Sequence, residues 1–193
     1  MMNVRGIILA GGSSRRMGKN KLLMELEGKP IINWVVENVV SSKLNDILLV
    51  YGEYDIKTDI KKVYNSLHEE GMSTSIKAGL RGFKGDGVML ILGDMPYVSC
   101  AIINKIVEAF ESSNKSIIVP LHNGKKGNPV LIGCKYFEHL MNNKGDKGAR
   151  EIIANNQDDI LWVEVDHDGI FIDIDDEKSY TQYKSCGVSN ETL

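Results

Sequence analysis

Val4-Arg5-Gly6-Ile7-Ile8-Leu9-Ala10-Gly11-Gly12-Ser13-Ser14-Arg15-Arg16-Met17-Gly18-Lys19-Asn20-Lys21 is the stretch around which the rest of the chain is read. An apolar, β-branched run that stops at a glycine pair predicts a buried parallel strand, and small residues after it let backbone N–H groups approach a ligand closely. Arg15, Arg16, Lys19 and Lys21 then supply positive charge where a polyphosphate would lie. Spacing excludes two common phosphate loops. The P-loop signature Gly-x-x-x-x-Gly-Lys-Ser/Thr fails because five residues separate Gly12 from Gly18 and Asn20 follows Lys19. No Gly-x-Gly-x-x-Gly dinucleotide fingerprint can be written across these residues either. The stretch describes a phosphate loop of another kind.

Length and composition set the frame for that loop. A chain of 193 residues reads most simply as one domain, residues 1–193, and buries roughly 70% of its unfolded surface without staples. Hydrophobic residues make up 42% and charged ones 25%, the balance of an ordinary soluble globular protein. The net charge of −3 and pI near 5.8 argue against a general nucleic-acid binder, so the cationic loop is a local feature. Cys100, Cys134 and Cys186 are widely spaced with no C-x-x-C, which reads as reduced thiols and a cytoplasmic protein. No apolar stretch approaches the length of a membrane span, and no signal-peptide pattern opens the chain.

Strands and helices alternate along the sequence. Pro30 is placed at the first position of a helix running to Ser41, and Ile47 to Val50 is expected as the second parallel strand. Asp55 to Tyr64 reads as a polar amphipathic helix. Gly71 to Ser75 supplies a turn and possible N-caps before Ile76 to Leu80, and the free N–H groups of such a helix start suit an anion or a base edge. Val88 to Leu92 is the most apolar strand candidate, and Gly93-Asp94-Met95-Pro96 ends it abruptly. Ser99 caps a helix to about Phe110. Ile117 to Val119 and Pro129 to Ile132 are strands flanking a loop over 122–128. Tyr136 to Met141 is a short helix, and Gly145 to Arg150 is a second glycine-rich turn that opens another. Leu161 to Val165 and Ile170 to Ile174 complete the strands, Glu177 to Lys184 is a terminal helix, and 187–193 is a loose tail. This alternation predicts an α/β protein with a three-layer, Rossmann-like arrangement around a mostly parallel central sheet.

The carboxyl ends of parallel strands are where ligands collect in such sheets, and Asp94 stands at one of them. There a carboxylate holds Mg²⁺ against phosphate oxygens while the ion keeps several waters. One carboxylate is a thin site. The tail Asp173-Ile174-Asp175-Asp176 offers a second, since alternation puts Asp173 and Asp175 on one face and leaves either able to reach the ion. His68, His122, His139 and His167 show no metal-ligand spacing and no nucleophile partner.

The residues Leu9-Ala10-Gly11-Gly12-x-Ser14-x-Arg16-Met17-Gly18-x-x-Lys21 resemble the signature of nucleotidyltransferases, which move a nucleoside monophosphate from an NTP onto a phosphorylated acceptor. In that superfamily the loop wraps the triphosphate, and Arg16 and Lys21 match its signature cations. Gly71-Met72-Ser73-x-Ser75-Ile76-x-Ala78-Gly79-Leu80, Leu92 to Pro96, Gly127-Asn128-Pro129-Val130, Gly145-Asp146-x-Gly148-Ala149-Arg150 and Asp173-Ile174-Asp175 then occur in the order seen in molybdenum cofactor cytidylyltransferases. The resemblance extends from Gly6 to about Tyr183.

This resemblance implies Arg16, Lys21 and Asp94 as catalytic residues and Leu9, Ala10, Gly11, Gly12, Gly71, Ser73 and Ser75 as further nucleotide contacts. It carries the magnesium ligands onto Asp94 and Asp175. CTP and molybdopterin are the implied substrates, molybdopterin cytosine dinucleotide and pyrophosphate the products, and a molybdenum hydroxylase the eventual user. Three positions depart from the pattern. Gly11 gives the Leu-Ala-Gly-Gly of the related GTP-using guanylyltransferases in place of Leu-Ala-Ala-Gly, Asn128 replaces a usual histidine, and Asp176-Glu177-Lys178 stands where Thr-Pro-Glu is common. The readings to weigh are therefore a CTP-dependent enzyme, a GTP-dependent one, a transferase for another phosphorylated acceptor, and a carrier of the finished cofactor.

Overall fold

The computed structural model describes residues 2–12, 20–175 and 179–181. Arg15, Arg16 and Lys19, most of the expected helix over 177–184 and the tail over 187–193 lie outside them. Strand β1, Val4–Ala10, pairs in parallel with β4, Asp46–Tyr51, on one side and with β6, Gly87–Leu92, on the other. Two short strands, β2 (Glu25–Leu26) and β3 (Lys29–Pro30), form a separate antiparallel ribbon. The main sheet continues with β5 (Lys62–Tyr64), β7 (Ile117–His122), β8 (Lys125–Lys126), β9 (Val130–Gly133) and β10 (Ile160–Glu164). Its order is β10-β7-β9-β6-β1-β4-β5, with β8 hydrogen-bonded to β7.

All the neighbours along this order are parallel except those made by β9, which runs antiparallel to both β6 and β7. The reason is local. The chain leaves β7 through a tight turn at Asn123 and Gly124, both with positive φ, and the stretch to Val130 is too short for the crossover that a parallel return requires. The sheet is thus mostly parallel, as the alternation of elements predicts, with β8 and β9 inverted.

Period-two alternation sends each strand's side chains to two cores. Ile8, Met89, Ile91, Ile118 and Leu131 face α1 (Ile31–Val40) and α3 (Cys100–Ser112), whereas Ile7, Leu9, Val50, Leu90 and Ile132 face α2 (Met72–Leu80), α4 (Phe137–Asn142) and α5 (Arg150–Asn155). Ser99 caps α3 as expected, its Oγ accepting from the Ile102 N–H. No helix among the described residues is long and apolar enough to cross a membrane.

Three expectations are corrected. Pro30 precedes helix α1 rather than opening it and belongs to the β2–β3 ribbon. Residues 55–64 form no helix. Thr58 Oγ1 takes the Ile60 N–H in a local turn, and Lys62-Val63-Tyr64 add as a parallel edge strand, with Lys61 O accepting from Leu49 N. Side-chain competition for the backbone and β-favouring Val63 and Tyr64 outweigh the helical spacing. Ile170 to Ile174 is not a strand either. Residues Asp168–Phe171 make a 3₁₀ turn, whose start is held by His167 Nδ1 accepting from the Gly169 N–H.

Candidate active site

The register of the three central strands brings their carboxyl ends level. Leu9 stands beside Val50 and Leu92, so the residues that follow, Gly11, Gly52 and Asp94, emerge at one edge of the sheet. A cleft of about 500 Å³ opens there. Its floor includes Leu9, Gly11, Gly12 and Leu92.

Lys21 enters from a 3₁₀ turn, Lys21–Leu23, that is fixed at both ends. Asn20 Oδ1 accepts from Leu22 N at 3.1 Å, and Leu22 is buried against α1. The Lys21 ammonium donates to Asp94 Oδ2 at 2.5 Å and also to Asp175 Oδ1. The side chains of Lys21 and Asp94 are 16% and 17% exposed, so this is a shielded pair, and Asp175 closes it from the rim at 46%. Burial alone would pull the lysine below its ordinary value. The Asp94 and Asp175 carboxylates outweigh it, hold the pKa above that value and keep the ammonium charged.

Asp175 reaches this point because the chain after the 3₁₀ turn is tied to β6's end. Ile174 N donates to Asp94 O at 3.0 Å, while the Ile174 side chain is fully buried with Leu26 and Ile31. The two flanking residues, Asp173 and Asp175, therefore both turn into the cleft. Alternation across an extended segment survives although no strand forms. Burial, and after it the charges of Asp175 and Asp94, push the Asp173 carboxyl above the usual carboxylate range.

The opposite wall is α2 with the 145–150 turn. Gly71 has φ +106°, and a Cβ there would fall 2.6 Å from the Gly145 carbonyl carbon and 2.8 Å from Asp146 Oδ1. Glycine is what lets the turn dock on the helix start. Asp146 Oδ1 then accepts from Met72 N at 3.0 Å, so the N-terminus expected to be open for an anion already has a carboxylate on one of its N–H groups. Asn143 Nδ2 donates to Gly148 O at 2.7 Å and pins the turn from its other side. Arg150, at the start of α5, lines the cleft from this wall.

Of the residues singled out from sequence, Leu9, Gly11, Gly12, Lys21, Gly71, Ser75, Asp94 and Asp175 all line the cleft. Arg16 lies outside the described residues. Ala10 turns its side chain into the core shared with α1 and α3, leaving its backbone for any ligand contact. Ser73 is 1% exposed, does not line the cleft, and its buried Oγ has no hydrogen-bond partner among the described residues. Ser75 is held by Asn65 Nδ2, which donates to its Oγ at 3.0 Å.

Four further polar lining residues, His68, Glu69, Asp146 and Arg150, have no role assigned from the sequence. The last two sit in a glycine motif that marks them. His68 carries no such mark. It packs on Gly52, where a Cβ would come within 2.6 Å of its ring, and its Nδ1 is buried without a partner among the described residues.

With regard to metal, no group of three or more His, Cys, Asp or Glu side chains among the described residues is arranged to hold an ion. The donor chemistry nonetheless suits a hard cation. Asp94 and Asp175 already converge on one positive charge, the Lys21 ammonium, and offer only oxygen, as befits an ion that retains most of its waters.

Glycine-rich loop, cationic 3₁₀ turn and aspartates at the carboxyl ends of a mostly parallel sheet define a Rossmann-like nucleotidyltransferase. The chain belongs to the MobA-like NTP transferase domain family, which matches residues 6–160. It is similar to the purine catabolism protein PucB of Bacillus subtilis, 30% identical with 79% of this chain and 81% of that protein covered. It is also similar to the molybdenum cofactor cytidylyltransferase of Escherichia coli, at 28% identity over 88% and 89% of the two chains. A probable molybdenum cofactor guanylyltransferase of Natranaerobius thermophilus is 32% identical over 63% of this chain and 62% of its own. Among solved structures, that of Rv0371c from Mycobacterium tuberculosis in complex with manganese superimposes with a TM-score of 0.77 at 20% identity, covering 95% and 98% of the chains.

Proposed function

We propose that this protein is a Mg²⁺-dependent cytidylyltransferase that moves CMP from CTP to the phosphate of molybdopterin. An oxygen of the acceptor phosphate attacks the α-phosphorus, the bond to the β-phosphate breaks, and pyrophosphate leaves with molybdopterin cytosine dinucleotide as the other product. The observation that carries this reading is the shielded Lys21–Asp94–Asp175 cluster beside the glycine-rich loop. A binding protein needs affinity alone. A cation set among carboxylates at the phosphate end of the cleft suits displacement at phosphorus, where neutralising charge supplies most of the rate.

In this reading the N–H groups of Gly11 and Gly12 approach the triphosphate, and Lys21 exchanges its carboxylate partners for phosphate oxygens. Asp94 and Asp175 hold the divalent ion, which when bound neutralises phosphate charge and orients the reacting groups. Asp173 stands beside them and shapes the charge of the pair. A cytoplasmic location and delivery of the product to a molybdenum hydroxylase belong to the same proposal.

Gly11 is the observation that favours GTP, because it matches the guanylyltransferase loop. Its surroundings weaken that inference. A Cβ at this position would lie 2.6 Å from Ser75 Oγ, so the glycine answers to a neighbouring hydroxyl and does not leave open space beneath a purine. Two residues between Gly18 and Lys21 also give the shorter spacing of the cytidylyl branch. Incubation of the purified protein with molybdopterin and either CTP or GTP, with pyrophosphate and the dinucleotide quantified, tests the reading. Tight dinucleotide binding without turnover would make the protein a carrier instead.

A further inference from the structure

The cleft is rich in acid, and its described cations are Lys21 and Arg150. Lys21 is held by Asp94 and Asp175. Among the described residues the Arg150 guanidinium has no ion pair or hydrogen bond to another residue, and the turn that carries it supplies the reason. Its nearest acidic neighbours in sequence are both engaged elsewhere. Asp146 accepts from the Met72 N–H, and Glu151 pairs with Lys147. The turn itself is anchored by Asp146 on α2 and by Asn143 on Gly148, so the guanidinium is presented at the rim from a fixed base.

From this arrangement we propose that Arg150 binds the phosphate of the acceptor substrate, a phosphomonoester. The proposal rests on the nucleotidyltransferase reading and adds the element that receives the second substrate. Transfer brings a dianionic phosphate against an already anionic triphosphate, which requires a cation that the donor does not use. The loop after β1 and the shielded Lys21 belong to the donor side. Arg150 comes from a separate element on the other wall and is exposed, as suits a substrate that arrives second. A guanidinium fork matches two phosphate oxygens at once, which an ammonium does not.

Two measurements on wild type, Arg150→Gln and Arg150→Lys test this. The first is equilibrium binding of 6-hydroxymethylpterin monophosphate, with its dephosphorylated form as control, to protein loaded with a non-hydrolysable CTP analogue. Wild type binds the phosphorylated probe roughly tenfold or more tighter, Arg150→Gln loses that preference, and Arg150→Lys recovers only part of it. The second is the affinity for the CTP analogue alone, which stays within about twofold in both variants because Arg150 does not serve the donor. An undiminished phosphate preference in Arg150→Gln, no preference in wild type, or an equal loss of nucleotide affinity would each overturn the proposal. Binding does not depend on turnover, so an intact preference in a protein that leaves molybdopterin unreacted would contradict the function above and not this assignment.

Discussion

Lys21 shows how one side chain can serve two states of a site. Without a ligand its ammonium neutralises Asp94 and Asp175, which would otherwise repel each other in a shielded position. In the proposed reaction the same charge passes to the phosphates of the nucleotide. Replacement by alanine is expected to lower kcat by about a hundredfold or more, through loss of charge stabilisation in the transition state, while circular dichroism stays native. Near wild-type turnover would contradict a phosphate role. The carboxylates divide by position. If Asp94 and Asp175 hold the ion as proposed, Asp94→Asn and Asp175→Asn each remove an anionic ligand and are expected to raise the Mg²⁺ concentration for half-maximal activity about tenfold or more. Asp173→Asn is expected to shift it less, because Asp94 and Asp175, and not Asp173, converge on the Lys21 charge. A Mg²⁺ titration of the three variants reads this order, and a larger shift for Asp173→Asn would reassign the second ligand.

Among the elements, the junction between β7, β10 and the segment before α4 depends on one carboxylate. Asp159 accepts from the Ser116 N–H at 3.0 Å, from Lys135 at 2.8 Å and from the Tyr136 hydroxyl at 2.8 Å. Burial pushes its carboxyl up, but these three donors outweigh it and hold the pKa at about 2, below the ordinary value of 3.8. A depressed carboxyl contributes stability that is fully present above the unfolded value and is lost as pH falls through the folded one. Asp159→Ala is therefore expected to lose about 1–3 kcal/mol at neutral pH, seen as a melting temperature several degrees lower. The gap from wild type should close between about pH 4 and pH 2. A gap that stays constant over that range would mean that packing rather than charge links these elements.

The same scale shows which elements are legible in the sequence. Val4 to Leu9, Ile47 to Val50 and Val88 to Leu92 are apolar runs bounded by turn residues, and they form the three central strands close to those limits. Residues 55–64 carry a helical spacing, but the edge of β4 offers Lys62 to Tyr64 a ladder that no local pattern announces. The inversion of β9 is legible only once the shortness of its connection is weighed against the length that a crossover needs. At the site, Asp94 and Asp175 are legible in two separate motifs, but the Ile174–Asp94 backbone bond that brings them together, with Lys21 reaching both, is a tertiary contact that no local pattern announces. Ser73 shares a motif with Ser75 yet only Ser75 lines the cleft, because helical positions two apart lie on different faces.

Seen as a whole, the molecule divides its labour between two cores and one edge. The two faces of the sheet bury their apolar side chains under α1 and α3 on one side and α2, α4 and α5 on the other. That leaves the strands' carboxyl ends to carry glycines and charges. Level ends on β1, β4 and β6 make a rigid base for the cleft, and positioning on such a base is what transfer between two anionic substrates demands.

The proposed function makes this cleft the place where a cytidylyl group is transferred. The most direct test is initial-rate measurement of pyrophosphate release with molybdopterin, Mg²⁺ and either CTP or GTP, side by side, with the dinucleotide product confirmed by mass. Turnover with CTP is expected, with a kcat/KM at least roughly tenfold above that for GTP, since a hydrogen-bonding base site leaves buried groups unpaired with the wrong base. A ratio at or below one would place the protein with the guanylyl enzymes, and no pyrophosphate from either nucleotide would contradict the claim itself.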